Sequence, residues 1–253
     1  MYTKPRVIPS LLIENGDLVK TVRFKKRTYI GDPVNAVRIF NEEEADEVCI
    51  LDISAQKNRS INYNLLEDIA SEAFMPLSYG GGISDMDTVQ QLFRIGFEKL
   101  IFNTALYTEP ELIKEASAYA GAQSIVASID VKKTLFGRNE CFIECGTKKI
   151  REGLIDYLHK AEELGVGEIL IQSIDNDGMM KGYDYILIKT ITSNTKLPVI
   201  CQGGAGRLED MAMAVNEAGA HAVAAGSMFV YYGSRKAVLI NYPTEEEQRK
   251  AGL

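Results

Sequence analysis

Tryptophan is absent from this 253-residue chain, histidine occurs twice and cysteine four times. His159 falls in a helical pattern and His221 just before a strand, so nucleophilic catalysis built on a histidine base is not expected. Cys49 and Cys201 lie inside apolar runs, "EVCILDI" and "PVICQGG", where a thiol behaves as a small hydrophobe. Cys141 and Cys145 are four apart, but no histidine or second cysteine pair completes a zinc site, so neither metal nor cofactor is expected. A surplus of positive charge is missing too: 28 Lys and Arg against 35 Asp and Glu leave −7, with no overall basic footprint for nucleic acid. No apolar stretch approaches the roughly 18 residues of a membrane span. The opening "MYTKPRV" has no signal-peptide core, and a cytoplasmic protein without membrane contact is the expectation.

What is present is a regular alternation. Short β-branched runs at 7–13, 48–53, 76–79, 99–102, 125–131, 168–172, 198–201 and 222–225 alternate with amphipathic stretches such as "DMDTVQQLFRIG" and "RLEDMAMAVNEAG". Eight strand–helix units in one chain of this length point to a closed (β/α)8 TIM barrel as a single domain over residues 1–253, rather than an open doubly wound sheet. A repeat supports this. Asp52 precedes Gly80 by 28 residues and Asp175 precedes Gly203 by 28; Gly80 to Asn103 and Gly203 to Gly226 are both 23. Matched strand-end spacings suggest two duplicated half-barrels. The same alignment places Leu12 of "VIPSLLI" on Asp130 of "IVASIDV". The segment 132–149 reads as a β-hairpin inserted after the fifth barrel strand. The connection 14–32, with Lys20, Arg23, Lys25, Lys26 and Arg27, reads either as a loop closing over an anionic ligand or as a solvated basic loop.

Sites in such barrels sit at the C-terminal strand ends. There the sequence offers two glycine-rich candidates for cradling phosphate. One combines Gly80, Gly81 and Gly82 with Asn103 and Thr104. The other combines Asp177 and Gly178 with Gly203, Gly204, Gly226 and Ser227. Their duplication favours a ligand with two phosphates, although each turn alone could need glycine for its geometry only. Asp130 ends the fifth barrel strand where a general acid or base belongs, or is tied to a neighbouring loop. At the opposite strand ends, Arg6, Glu47, Lys99 and Glu168 alternate in sign; read from position alone, they favour a role in stability.

"RVIP", "GDP" at 31–33, "LDI", "GGGI", "NTA", "SIDNDG", "GYD" and "GGAG" together resemble the HisF family, the cyclase subunits of imidazole glycerol phosphate synthase, over essentially the whole chain. The resemblance implies a HisH-like glutaminase docked on the barrel bottom and ammonia passing through the barrel. It implies a gate made of Arg6, Glu47, Lys99 and Glu168, and Lys20 in a ligand-closing loop. It also implies an acid–base pair at the ends of the first and fifth barrel strands, acting on a bis-phosphorylated imidazolecarboxamide ribonucleotide. Asp130 matches the second member; Leu12 stands where the first belongs and cannot transfer a proton. The stretch 11–42 further resembles the HisF-like WbuZ-type branch, which is associated with a separate sugar amidotransferase and acetamidino-sugar formation in surface polysaccharides. Three functions are therefore expected in order: an ammonia-delivering subunit for sugar amidination, an authentic cyclase (a lyase of histidine biosynthesis), or a scaffold that only activates the glutaminase.

Overall fold

The computed structural model describes residues 4–55, 60–233 and 235–253. The first three residues of the segment searched for a signal core lie outside that range. The chain opens with β1 (Arg6–Glu14), followed by two short strands, β2 (Asp17–Lys20) and β3 (Thr28–Gly31). It continues through β4 (Val48–Asp52), β5 (Leu77–Gly80), β6 (Lys99–Phe102) and β7 (Ile125–Lys133). Then come β8 (Asn139–Ile143), β9 (Lys148–Lys149), β10 (Glu168–Ser173), β11 (Val199–Gln202) and β12 (Ala222–Ala225).

Parallel pairing runs β1–β4–β5–β6–β7–β10–β11–β12 and returns from β12 to β1, so eight strands close into a barrel. Helices lie between successive barrel strands, for example Pro33–Glu42, Met86–Ile95 and Leu208–Asn216. The architecture is the (β/α)8 barrel, and each expected barrel strand appears with its ends within two residues of the expected ones. Among the described residues, no helix is long and apolar enough to cross a membrane.

Side-chain alternation along each strand separates two apolar regions. Val7, Leu11 and Ile13 of β1, and Ile125, Ala127, Ile129 and Val131 of β7, face the helices and join the large outer core. Ile8, Cys49, Ile101, Val126, Leu170, Ile200, Ala222 and Ala224 face inward and form a second, smaller cluster inside the barrel. Local chemistry fixes the helix starts. Asp32, Asn62, Asp85 and Asp184 each accept a hydrogen bond from the backbone amide three residues on, which satisfies a donor the first helical turn leaves open. At the C-terminal side of the chain, Tyr242 donates to the Val7 carbonyl at 2.9 Å and fastens that segment to β1.

The connection 14–32 departs from the expected loop. Asn15 (φ 54) and Gly16 (φ 93) make a tight turn, and β2 folds back antiparallel on β1, with Leu12 opposite Val19; β3 then pairs with β2. Asn-Gly between apolar runs favours this turn because both residues tolerate positive φ. Only 21–27 therefore remains irregular, and Lys20 ends a strand instead of riding a long loop. After β7, β8 runs antiparallel to it, from Asp130 opposite Phe142 to Lys133 opposite Asn139.

Candidate functional site

The four charged residues at the lower strand ends meet in one ring. Arg6 binds Glu47 through Nη1 and Glu168 through Nη2. Lys99 Nζ lies 3.3 Å from Glu47 and 2.8 Å from Glu168, so each cation bridges both carboxylates. The acids are buried while the cations keep partial contact with solvent. Burial by itself would lower the Arg6 guanidinium, but Glu168 and Glu47 hold its pKa above the ordinary arginine value. The ring is thus a neutral set of four fixed charges across the bottom of the barrel.

Glu47 also floors a narrow lumen walled by Ile8, Cys49, Ile101, Val126, Leu170, Ile200 and Ala224. Burial pushes the Cys49 thiol up to about 12, so it stays protonated and uncharged. At the upper strand ends lies a small pocket lined by Leu12, Lys20, Asp177, Gly178, Gly203, Gly204, Gly226 and Ser227. Gln202 lines both spaces. The axis therefore runs from ion ring through apolar lumen to a polar, glycine-rich pocket.

The family model described as "Histidine biosynthesis protein" matches residues 6–236. The chain belongs to this family. A "Putative imidazole glycerol phosphate synthase subunit HisF" from Leptospira interrogans is 48% identical over 247 residues, 97% of each chain. A Pseudomonas aeruginosa protein with the same name but the suffix hisF2 is 46% identical over 239 residues, 94% of this chain and 95% of that one. The "Imidazole glycerol phosphate synthase subunit HisF" of Streptomyces griseus is 41% identical over 225 residues, 88% of this chain and 89% of that one.

Within this HisF-like barrel, one of the two glycine-rich groups surrounds the upper pocket. Lys20 is buried, and its Nζ donates to the Ser10 carbonyl at 2.8 Å. Desolvation brings it down to about 8 even though Asp177 opposes the shift. Gly226 makes room for this ammonium, since a Cβ there would lie 1.7 Å from Nζ. Gly178 has φ +68, and a Cβ on it would come within 2.2 Å of the Thr21 carbonyl. Asp177, which lines the pocket, also accepts from Thr21 Oγ1 at 2.7 Å and Phe24 N at 3.2 Å, fastening 21–24 across it. Arg23 adds to that fastening by donating from Nε to the Asp175 carbonyl.

The other glycine-rich group, Gly82, Asn103 and Thr104, lies outside the pocket lining. Asn103 Nδ2 donates to the Ser128 carbonyl at 3.0 Å, and Thr104 Oγ1 accepts from Glu144 N at 3.1 Å. These side chains tie strand ends together. Leu12 projects into the upper pocket, as its alignment with Asp130 requires. Asp130 is buried; desolvation, with Asp177 adding to it, raises its carboxyl to about 7. A carboxyl poised near neutrality can give or take a proton, the property a general acid–base group needs.

Four inward polar groups escaped the sequence reading. Gln172 and Gln202 carry buried Oε1 atoms without a hydrogen-bond partner, and the buried Oγ atoms of Ser10 and Ser78 have only the weakly bonding Cys49 thiol beside them. Each such atom costs about 1–3 kcal/mol if nothing fills it. The signal was legible: in "EILIQS" and "PVICQGG" the glutamine falls on the inward parity of an otherwise apolar strand.

The Asp130 shift has a stability consequence. A carboxyl whose native pKa is raised from 3.8 to about 7 stabilises the fold fully below pH 4 and loses that contribution as pH rises to about 7. Asp130→Asn, which cannot ionise, is therefore expected to gain on the wild type by a few kcal/mol across that window and to hold the gain above it. Urea unfolding at a series of pH values checks this; a constant difference between the two proteins would show that Asp130 titrates normally.

Proposed function

We propose that the chain is the ammonia-receiving barrel subunit of an imidazole glycerol phosphate synthase-type glutamine amidotransferase, with a HisH-like glutaminase seated over the ion ring. The observation that supports this reading is the order along the barrel of charged ring, apolar lumen and glycine-rich pocket, the last two sharing Gln202 as a lining residue. A buried apolar lumen strongly disfavours ammonium, because a charge taken out of water without a partner costs many kcal/mol. Neutral ammonia carries no such penalty. Glutamine hydrolysis at the ring face would deliver nitrogen beneath Glu47, and the ring would exclude bulk cations while Lys99, held by two ion pairs, swings to admit a small neutral molecule. In the upper pocket, Lys20 and the amides around Gly178, Gly204 and Gly226 suit one phosphate of a phosphorylated ligand; the amides around Gly82 and Asn103, outside that pocket's lining, suit a second.

The names of the relatives favour imidazole glycerol phosphate synthase over sugar amidination. On this reading Asp130 moves protons as the incoming nitrogen displaces part of a bis-phosphorylated imidazolecarboxamide ribonucleotide and the imidazole ring closes. Leu12 favours a second reading. It fills the first acid–base position of the HisF pattern with a side chain that holds no proton, as suits a WbuZ-type subunit that only passes ammonia on to a sugar amidotransferase. The chain is also closer to relatives whose names carry a qualifier, at 46–49% identity, than to those named without one, at 40–41%.

Two measurements test these readings. In complex with the glutaminase, Lys99→Ala is expected to leave glutamine hydrolysis running while product formed per glutamine consumed falls severalfold; unchanged coupling would leave the chain a scaffold rather than a conduit. Supplied with ammonium and the ribonucleotide, the wild type is expected to cyclise slowly, and Leu12→Asp to raise the rate by about 10²–10⁴, the usual contribution of one acid–base group. No turnover in either protein would remove the cyclase reading and leave amidination.

A further inference from the structure

Of the cations in the connection 14–32, only Lys20 is buried; Arg23, Lys25, Lys26 and Arg27 are exposed. The structure brings a second basic group beside them: Lys132, Lys133 and Arg138, exposed on the end of β7 and the turn into β8. The segment 174–178, above β10, joins the two. Arg23 donates from Nε to the Asp175 carbonyl and from its amide to the Asp177 carbonyl, while Lys133 N donates to the Asp175 carboxylate at 2.8 Å. Asp177 and Gly178 line the upper pocket, so both basic segments are anchored to its wall. Ion pairing compensates little of this charge. Arg27 pairs with Glu14 and Lys133 with Asp184, whereas Arg23, Lys25, Lys26, Lys132 and Arg138 form no ion pair among the described residues. Neither 21–27 nor 132–138 contains a carboxylate, although the whole chain carries a net charge of −7.

We propose that Arg23, Lys25, Lys26, Lys132 and Arg138 form an electrostatic collar that captures a multiply phosphorylated ligand and steers it into the upper pocket. The proposal rests on the reading of that pocket as a site for a phosphorylated ligand and adds how the ligand reaches it. The mean field of an acidic chain repels a ligand bearing several negative charges. Cations gathered on one wall reverse the sign of the field locally, over a screening length of about 8–10 Å at ordinary salt. Such steering raises association rates by about 10–10³ and acts before contact is made. The collar thereby selects by charge: a ligand with two phosphates gains more than one with a single phosphate, and a neutral sugar gains nothing.

Phosphorus NMR of the bis-phosphorylated imidazolecarboxamide ribonucleotide, titrated with the full chain, reads both rates. The phosphate shifts give the dissociation constant, their exchange broadening gives the dissociation rate, and together these give the association rate. Raising the ionic strength from about 0.01 to 0.1 M shortens the screening length from about 30 to 10 Å and is expected to slow association of the wild type about tenfold. At the lower salt, the triple variant Lys25→Gln, Lys26→Gln, Lys132→Gln is expected to associate about tenfold more slowly, with dissociation changed by less than about twofold. Neutralising Lys114, Lys196 and Lys250 instead, three exposed lysines outside both basic segments, removes the same net charge and is expected to leave association nearly unchanged. Equal association in the wild type and the collar variant, an equal loss in the control variant, or a loss carried by dissociation would overturn the collar while leaving the phosphorylated ligand in place. A ribonucleotide whose phosphates respond to none of the proteins would remove that ligand, and the collar with it.

Discussion

Eight parallel strands closed into a cylinder force every second side chain into a space that helices cannot reach, and the chemistry of this chain depends on that constraint. Along β1 the inward positions are Arg6, Ile8, Ser10 and Leu12: ring, wall, polar rung and pocket in successive layers. The same order recurs on β10, where Glu168, Leu170 and Gln172 rise in the same sense. Outward positions such as Leu11 and Ile13 serve only to seat helices. Function and stability are thus written on opposite faces of the same strands, and a one-residue slip in register would exchange them.

Electrostatics then divides the inner face. Glu47 and Glu168 are buried at the bottom, and buried carboxylates survive there because Arg6 and Lys99 each reach both. Above them the wall is uncharged up to the strand tops, where Lys20 and Asp177 line the pocket and Asp130 lies buried at the end of β7's barrel section. Burial moves Lys20 and Asp130 toward neutrality from opposite sides, to about 8 and about 7. Buried groups shifted toward neutral pH therefore sit at one end of the barrel and a charge ring at the other.

Much of this was legible in the sequence, and the reasons are physical. The barrel strands were visible because fully buried parallel strands are short continuous apolar runs, and the repeated 28- and 23-residue spacings located their ends. The lower ring was found by position at strand starts, but its closure depended on side-chain reach, which no one-dimensional pattern records. The segment 14–32 was misjudged because charge drew attention away from Asn15–Gly16, whose positive φ angles turn it into a hairpin. Asp177, Asn103 and Thr104 were read as facing a ligand; Asp177 lines the upper pocket while also binding the 21–24 segment, and the Asn103 and Thr104 side chains also tie strand ends together. Polar side chains at strand tips serve both purposes, and only the geometry tells which. Gln172 and Gln202 went unnoticed because a single amide inside an apolar run reads as noise until the inward face is known.

The central claim, that nitrogen released below the ring travels inside the barrel, is tested most directly by its isotope. Glutamine labelled with heavy nitrogen at the side-chain amide is supplied to the complex of this chain with its glutaminase, in an excess of unlabelled ammonium, and the label in the imidazole glycerol phosphate formed is read by mass spectrometry. An internal path predicts product carrying the glutamine label almost undiluted. Label diluted to the ratio of the surrounding solution would contradict it.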